Sequence, residues 1–278
     1  MSISSDFIKI ADKISKKVDL PLIKEIITPQ SNECLKKSNF SVIILEDNTI
    51  GLVYINLNPI IKNRFKNEDL TKFNGSDLIS IAKLFGSNDL FEKSLALGCI
   101  NAISQFIFNK ANFSFDFTSD SLGLLNINRS DVIGMVGFFP PLVKLIEKIG
   151  SKLIIIEKKE VLIQKAKNWL VTLDTSKLKD CNKILITGTT VLNETLDEVL
   201  DYCTNVEKVS VIGPTTSFLP DPLFKRGIDV IGGTYITNPN FLTQAILKSI
   251  RWDNSVRKYT IERNKYPGYK DLISKFIK

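Results

Sequence analysis

Apolar residues at positions 7, 10, 11, 14 and 18 recur at a helical period, so residues 3–18 are expected to form one amphipathic helix. Three runs of β character follow, over 22–27, 40–45 and 50–57. The last two are joined by the polar turn Glu46-Asp47-Asn48-Thr49, which predicts a three-stranded meander. Beyond it the period changes. Ser76 or Asp77 is placed to cap a helix that Gly86 stops, and Ser87-Asn88-Asp89 opens a longer one running to about Asn109. Strands followed by helices predict a smaller α+β domain over residues 1–115. Residues 113–128, with Asp116, Ser119, Asp120, Ser121 and Gly123, read as a linker.

From Ser130 the rhythm becomes βαβα. Short apolar runs at 132–136, 153–156, 184–186, 209–212 and 230–231 read as buried strands, alternating with helices at 142–149, 162–170, 194–202 and 222–225. Pro140-Pro141 opens the first of these helices and Gly150 ends it. This alternation predicts an α/β domain over 128–250 with a parallel sheet covered on both faces. Residues 251–278 are left as a basic C-terminal extension. A chain of 278 residues suits two domains of ~100–200 residues each.

Composition adds exclusions. Charged residues interrupt every apolar stretch before the ~20 residues that cross a bilayer, and the first 17 residues lack the apolar core of a signal peptide. A cytoplasmic protein without membrane partners is expected. Histidine is absent, which removes the commonest metal ligand and the usual proton shuttle at neutral pH, and with them a Ser-His-Asp triad or a Cys-His pair. The four cysteines, Cys34, Cys99, Cys181 and Cys203, form no Cys-x-x-Cys pair and read as reduced and structural.

The net charge of +7 is concentrated at one end. Between Lys248 and Lys278, nine Lys or Arg face three acids, interleaved with Trp252, Tyr259, Tyr266, Tyr269 and Phe276. That pattern suits either a weak contact to single-stranded nucleic acid or aromatic residues that pack on the body while the lysines stay wet. Packing is favoured, and nucleic acid is the least favoured partner.

Candidate chemistry sits at the strand ends. The loops Gly134 to Pro141, Thr187-Gly188-Thr189-Thr190, Gly213-Pro214-Thr215-Thr216-Ser217 and Gly232-Gly233-Thr234 all follow strands of the second domain. In an open parallel sheet such loops converge on one edge, where ligands bind. Glycine admits close backbone approach and threonine donates or accepts hydrogen bonds, so a small-molecule ligand is expected there. Gly134 and Gly137 do not make the G-x-G-x-x-G of a dinucleotide site, and no P-loop is present. Glu157, 20 residues after Gly137, stands where an acid could hold a ribose hydroxyl, or is a solvated charge beside Lys158. Phe138 and Phe139, before Pro140, either wall a flat ligand or plug the space between the domains. Asn193 is explained by a helix N-cap.

The loop residues Gly137 to Leu142, Thr187 to Thr190 with Asn193 and Thr195-Leu196-Asp197, and Gly213 to Thr216 with Leu223-Phe224 and Gly227 resemble the putative heavy-metal chelation family. Ser94 to Ala102 resembles the helix motif of that family's leading domain, so the likeness spans roughly residues 1–250. The resemblance implies a Rossmann-like domain of unknown function behind an enolase-N-terminal-like domain, with a site between them. By that resemblance Asn101 joins the site. The family's Asn-Gly-Thr-Leu motif reads Asn193-Glu194-Thr195-Leu196 here.

A metal bound directly would need carboxylates such as Glu157, Asp197 or Asp221, or Cys99 and Cys181 brought together. A divalent or heavy metal is therefore expected within a bound organic ligand rather than on side chains alone. Three functions stay open: an enzyme acting on an anionic or metal-chelating molecule, a non-catalytic metallophore or nucleotide carrier, and nucleic-acid binding through the C-terminal segment. No catalytic residue is assigned, and the oligomeric state, a homo-oligomer included, is open.

Overall fold

The structure is a computed structural model that describes residues 2–30, 39–117 and 122–277. Helix α1 (Ile3–Ser15) begins at Ser2, whose hydroxyl accepts from the Ser5 N–H, and buries Ile3, Phe7, Ala11 and Ile14. Strands β1 (Ile23–Ile27), β2 (Phe40–Leu45) and β3 (Ile50–Tyr54) form the expected antiparallel meander in the order β1-β2-β3. Helix α2 (Pro59–Asn67) was not legible in the sequence; Asn58 caps it and Pro59 occupies its first position. Asp77 caps the short α3 (Leu78–Ala82), and Asp89 caps α4 (Leu90–Lys110).

Helix α4 carries little amphipathic contrast because it is covered on nearly every side, from Phe91 through Phe108. It lies almost in contact with β3. A Cβ at Gly51 would sit 2.2 Å from the Gly98 carbonyl oxygen, and one at Gly98 would sit 2.3 Å from Val53 Cγ2. Two glycines facing each other set that spacing. The other face of the meander, Val42, Ile44, Ile50 and Leu52, packs on Leu242 and Ile246 of a helix near the C-terminus.

The second half supplies β4 (Val132–Val136), α5 (Pro140–Ile149), β5 (Lys152–Ile156), β6 (Trp169–Thr172) and β7 (Lys183–Thr187). It continues through α6 (Thr189–Leu192), α7 (Leu196–Asp201), β8 (Lys208–Ile212), α8 (Asp221–Phe224), β9 (Val230–Ile236), α9 (Pro239–Lys248), β10 (Val256–Glu262) and α10 (Tyr269–Ser274). Seven strands form one sheet in the order β10-β9-β8-β7-β4-β5-β6, parallel except for β10. Counted along the parallel strands this is 3-2-1-4-5-6, with the direction of winding reversing between β4 and β7. A large parallel-dominated sheet beside a smaller antiparallel one is the mixed α/β architecture expected from the sequence. One apolar core runs from α1 and α4 onto the large sheet, and a second lies beneath α5 with Met135, Ile146 and Leu185.

Four local expectations are corrected. Residues 162–170 are not a helix: a 3-10 turn, Glu160–Leu162, leads to β6. The apolar residues of that run share no single covered face: Ile163 is 53% exposed, whereas Leu162 and Trp169 are half-buried against the core beneath α5. Gly232-Gly233-Thr234 is not a loop but the middle of β9, where Gly233 faces Tyr259 and leaves room for its ring. The 113–128 segment is packed, with Phe115 against Tyr259 at 4.2 Å between ring centroids and Leu125 buried; Ser119, Asp120 and Ser121 lie outside the described residues. Residues 256–262 are not an extension but the antiparallel edge of the large sheet.

The C-terminal aromatic residues are held by the protein itself. Tyr259 is buried, Trp252 meets Phe40 edge to face at 5.6 Å, and Tyr266 donates to Asp221 Oδ2 at 2.7 Å. Among the described residues no helix is long and apolar enough to cross a membrane.

Candidate functional site

At the reversal point of the large sheet a cavity of about 500 Å³ opens over the C-terminal ends of its strands. Val136 and Gly137 at and after the end of β4, Glu157 after β5, and Thr187 and Thr189 at and after the end of β7 form one wall. Tyr54 and Asn56, at and after the end of β3, form the other. Parallel strands end here with their carboxyl termini facing the space, the usual place for a ligand in an open sheet of this order.

Gly137 turns the chain out of β4 at φ 95°, a conformation that a side chain resists. Its N–H still donates to the Ile156 carbonyl at 2.9 Å, and the next N–H, from Phe138, donates to Glu157 Oε1 at 2.8 Å. The other oxygen of Glu157 accepts from the Lys158 N–H at 3.0 Å. A carboxylate that accepts two backbone donors fixes the loop around it, so Glu157 braces the β4 and β5 ends. Burial first, and then the Glu157 charge, push the Tyr54 phenol above its ordinary range, more than the bond to Asn56 lowers it. Tyr54 therefore offers a neutral hydroxyl.

The β7 loop presents hydroxyls. Thr187 Oγ1 and Thr189 Oγ1 are 3.1 Å apart, while the buried Thr190 spends its hydroxyl on the Thr187 carbonyl at 2.8 Å. Asn193 and Thr195 continue the wall, with Asn193 Oδ1 accepting from the Thr195 N–H at 3.2 Å and its hydroxyl at 2.6 Å. Asn193 is thus the C-terminal cap of α6 and not an N-cap. Between them Glu194 holds the left-handed φ of 56°, the position at which the resembled motif carries glycine. Its carboxylate is anchored by the Ser4 hydroxyl at 2.6 Å and by the buried Lys93 ammonium.

Of the residues expected at the site, Gly137, Glu157, Thr187, Thr189, Thr190 and Asn193 line this cavity. The others are placed elsewhere. Phe138 stands against Trp169 at 6.4 Å, Pro140 is exposed at the start of α5, and Phe139, Gly213 and Pro214 line a second, smaller cavity. Gly188 lacks a Cβ where one would meet Thr216 Cγ2 at 2.3 Å and Thr215 Oγ1 at 2.5 Å. Thr215 and Thr216 are buried, and Thr216 Oγ1 ties the residue after β8 to the middle of β9 through the Gly213 and Gly232 carbonyls at 2.6 and 2.5 Å. Asn101 is fully buried on α4; its amide donates to the Leu52 carbonyl at 2.9 Å, and its Oδ1 has no partner among the described residues.

Sequence reasoning missed Tyr54, Asn56, Thr175, Thr195, Glu198 and the lysine pair Lys158-Lys159. Lys158 and Lys159 directly follow a buried strand, which was a usable signal. Tyr54 and Asn56 reach the cavity only because the meander docks on the large sheet, and nothing local announces that.

The carboxylates and thiols weighed as direct metal ligands are dispersed. Asp197 pairs with Arg226 at 2.5 Å, and Asp221 accepts from Tyr266 and from the Tyr269 N–H at 3.0 Å. Burial raises the thiols of Cys99 and Cys181, that of Cys181 to about 12. No group of three His, Cys, Asp or Glu able to hold a metal ion exists among the described residues, and Cys34 lies outside them.

Comparison with known proteins gives concordant results. Residues 120–264 match the family model described as putative heavy-metal chelation. An uncharacterized protein of Methanocaldococcus jannaschii is 31% identical over 202 residues, 68% of this chain and 72% of that protein. A Pyrococcus horikoshii protein of unknown function from the same family superposes with a TM-score of 0.68 at 18% identity, over 94% of this chain and 99% of that one. Another of unknown function, from Desulfitobacterium hafniense, gives 0.67 at 20% identity over 93% and 98%. At those identities the likeness speaks for the fold.

Proposed function

The chain belongs to the putative heavy-metal chelation family, and on that premise we propose that it binds an anionic or metal-chelating small organic molecule in the 500 Å³ cavity between β3 and the ends of β4, β5 and β7. The observation that carries this reading is the convergence of polar groups from four chain segments on one concave space at the sheet's reversal point. Thr187 and Thr189 supply hydroxyls that donate or accept, Tyr54 a neutral phenol, and Lys158 and Lys159 positive charge at the rim. The two halves are read as a Rossmann-like domain, whose sheet runs on through β10 to Glu262, behind an enolase-N-terminal-like domain over 1–115, a reading supported by the strand order and the motif resemblance. A cytoplasmic setting suits the free thiols of Cys99, Cys181 and Cys203.

The family description names heavy-metal chelation, and the donor set does not fit direct coordination. A soft metal needs thiolates or imidazoles. The sequence has no histidine, and the described cysteines carry raised thiols and enter no group of three potential metal ligands among the described residues. A metal is therefore read as part of the cargo, brought in by an organic chelator that the loop hydroxyls and lysines hold.

Native mass spectrometry of protein purified without chelators tests the reading. A co-purifying organic species that Thr189→Val with Asn193→Ala releases is the expected result; retention by that variant places the site elsewhere. Consumption of the released species by fresh protein separates an enzyme from a carrier.

A further inference from the structure

The second cavity, of about 260 Å³, lies between the start of α5, the end of β8 and the middle of β9 and β10. Phe139 forms its wall nearest the first cavity: a Cβ on Gly137 would stand 3.3 Å from Phe139 Cε2. Its chemistry is different. Phe139, Pro141, Leu142 and Ile212 make most of the wall apolar, Gly232 contributes peptide backbone with no side chain, and Thr234, Lys258 and Tyr259 complete the lining beside Thr260.

That backbone is held still, because the Thr216 hydroxyl bridges the carbonyls of Gly213 and Gly232. Directly across the β9–β10 ladder from Gly232 stands Thr260, which also lines the cavity. Thr260 is 4% exposed, and its Oγ1 has no hydrogen-bond partner among the described residues. A buried hydroxyl left unpaired is costly, and a ligand atom that pairs with it recovers that cost.

From these features we infer that the second cavity is a binding site for a small planar heterocycle of about two fused rings, apolar except for one hydrogen-bonding edge that meets Thr260. Size sets the ring number: an apolar cavity of ~150 Å³ holds benzene, so this one admits a further ring. The Phe139 ring and the bare peptide at Gly232 favour a flat molecule over a branched one. This site stands on residues outside the first cavity and does not rest on the reading given for that one.

Quinoline and naphthalene share shape and differ by one acceptor, so they make the test. Each is titrated into the full chain while the methyl resonances of Leu142 and Ile212 are followed by NMR. Quinoline is expected to shift those methyls and to bind about tenfold more tightly than naphthalene. Thr260→Val, which keeps the shape and removes the hydroxyl, is expected to erase that ratio while leaving naphthalene unchanged. No shift at Leu142 and Ile212, equal affinities in the wild-type chain, or a ratio that survives Thr260→Val would each overturn the inference. Should the variant fail to fold, the wild-type ratio and the methyl shifts decide.

Discussion

Glu194, in the left-handed backbone region at φ 56°, reaches the buried ammonium of Lys93 on α4, 101 residues earlier in the chain. Where the resembled motif has glycine, this chain uses a carboxylate and ties the cavity wall, Asn193 to Thr195, to the N-terminal half. Burial raises the Glu194 carboxyl, and the Lys93 and Ser4 bonds more than offset it, so its net shift is downward.

Two opposed effects separate the substitutions at this position. Glu194→Ala leaves Lys93 buried without its partner and keeps a side chain at a left-handed φ, so a loss of about 1–3 kcal/mol is expected in urea denaturation. Glu194→Gly loses the same bond but regains roughly 1 kcal/mol of backbone strain. Glycine is therefore expected to be the milder change; equal losses would show that the left-handed backbone costs nothing here.

The same pair sets a pH dependence. A carboxylate with a lowered folded pKa adds stability that is present above its unfolded value, about 4.3, and lost as pH falls through the folded one. Glu194→Gln is expected to flatten the denaturation midpoint across that acidic window, and an unchanged acid limb would exclude the pair as a contributor.

Asp221 has the opposite sign. Burial raises its carboxyl further than the bonds from the Tyr269 N–H and the Tyr266 hydroxyl lower it. The folded state thus holds the proton more tightly than the unfolded state, and stability falls as pH rises above about 3.9 through the raised value. Asp221→Asn, which keeps an acceptor for Tyr269, is expected to remove that fall at a cost below ~1 kcal/mol at neutral pH. Thermal melts of both proteins from pH 4 to 7 measure it.

At the α4–β3 contact the two glycines differ in what a methyl would strike. Gly51→Ala meets the Gly98 carbonyl at 2.2 Å and the Ala102 nitrogen at 2.7 Å, both backbone, whereas Gly98→Ala meets the side chains of Val53 and Ile43. Overpacking costs typically ~1–3 kcal/mol, and an immovable backbone puts Gly51→Ala at or above the top of that range. Equal midpoint shifts in urea would mean that helix and strand part freely.

Thiol chemistry checks the argument against direct metal binding. Burial leads the causes that raise the thiols of Cys99, Cys181 and Cys203, the last to about 11. Iodoacetamide at pH 8 is expected to leave all three unlabelled in the folded chain and to modify them in urea, as read by peptide mass mapping. Rapid labelling of Cys181 or Cys203 under native conditions would reopen a thiolate site.

Periodicity and punctuation fixed most elements. Asp77 and Asp89 cap the helices they were expected to cap, the Glu46 to Thr49 turn joins β2 to β3, and the parallel core strands were legible as apolar runs bounded by Gly and Thr. Such signals are local, carried within one turn or one strand by the hydrogen-bonding needs of the backbone. The run at 162–170 misled because its apolar residues are divided between solvent, as Ile163, and a core edge, as Leu162 and Trp169, and β10 was hidden because Arg257 and Lys258 are exposed on an edge strand. For the site, chain order alone named the loops after β4 and β7, since strand ends in a parallel sheet must converge. It did not tell which of their residues face the cavity. Thr216 and Asn101 turned inward to satisfy carbonyls of neighbouring segments, whereas Tyr54 and Asn56 were brought in by the docking of a separate sheet. Whether a hydroxyl is spent on the protein or left for a ligand depends on partners far away in the chain, and only packing in three dimensions supplies them.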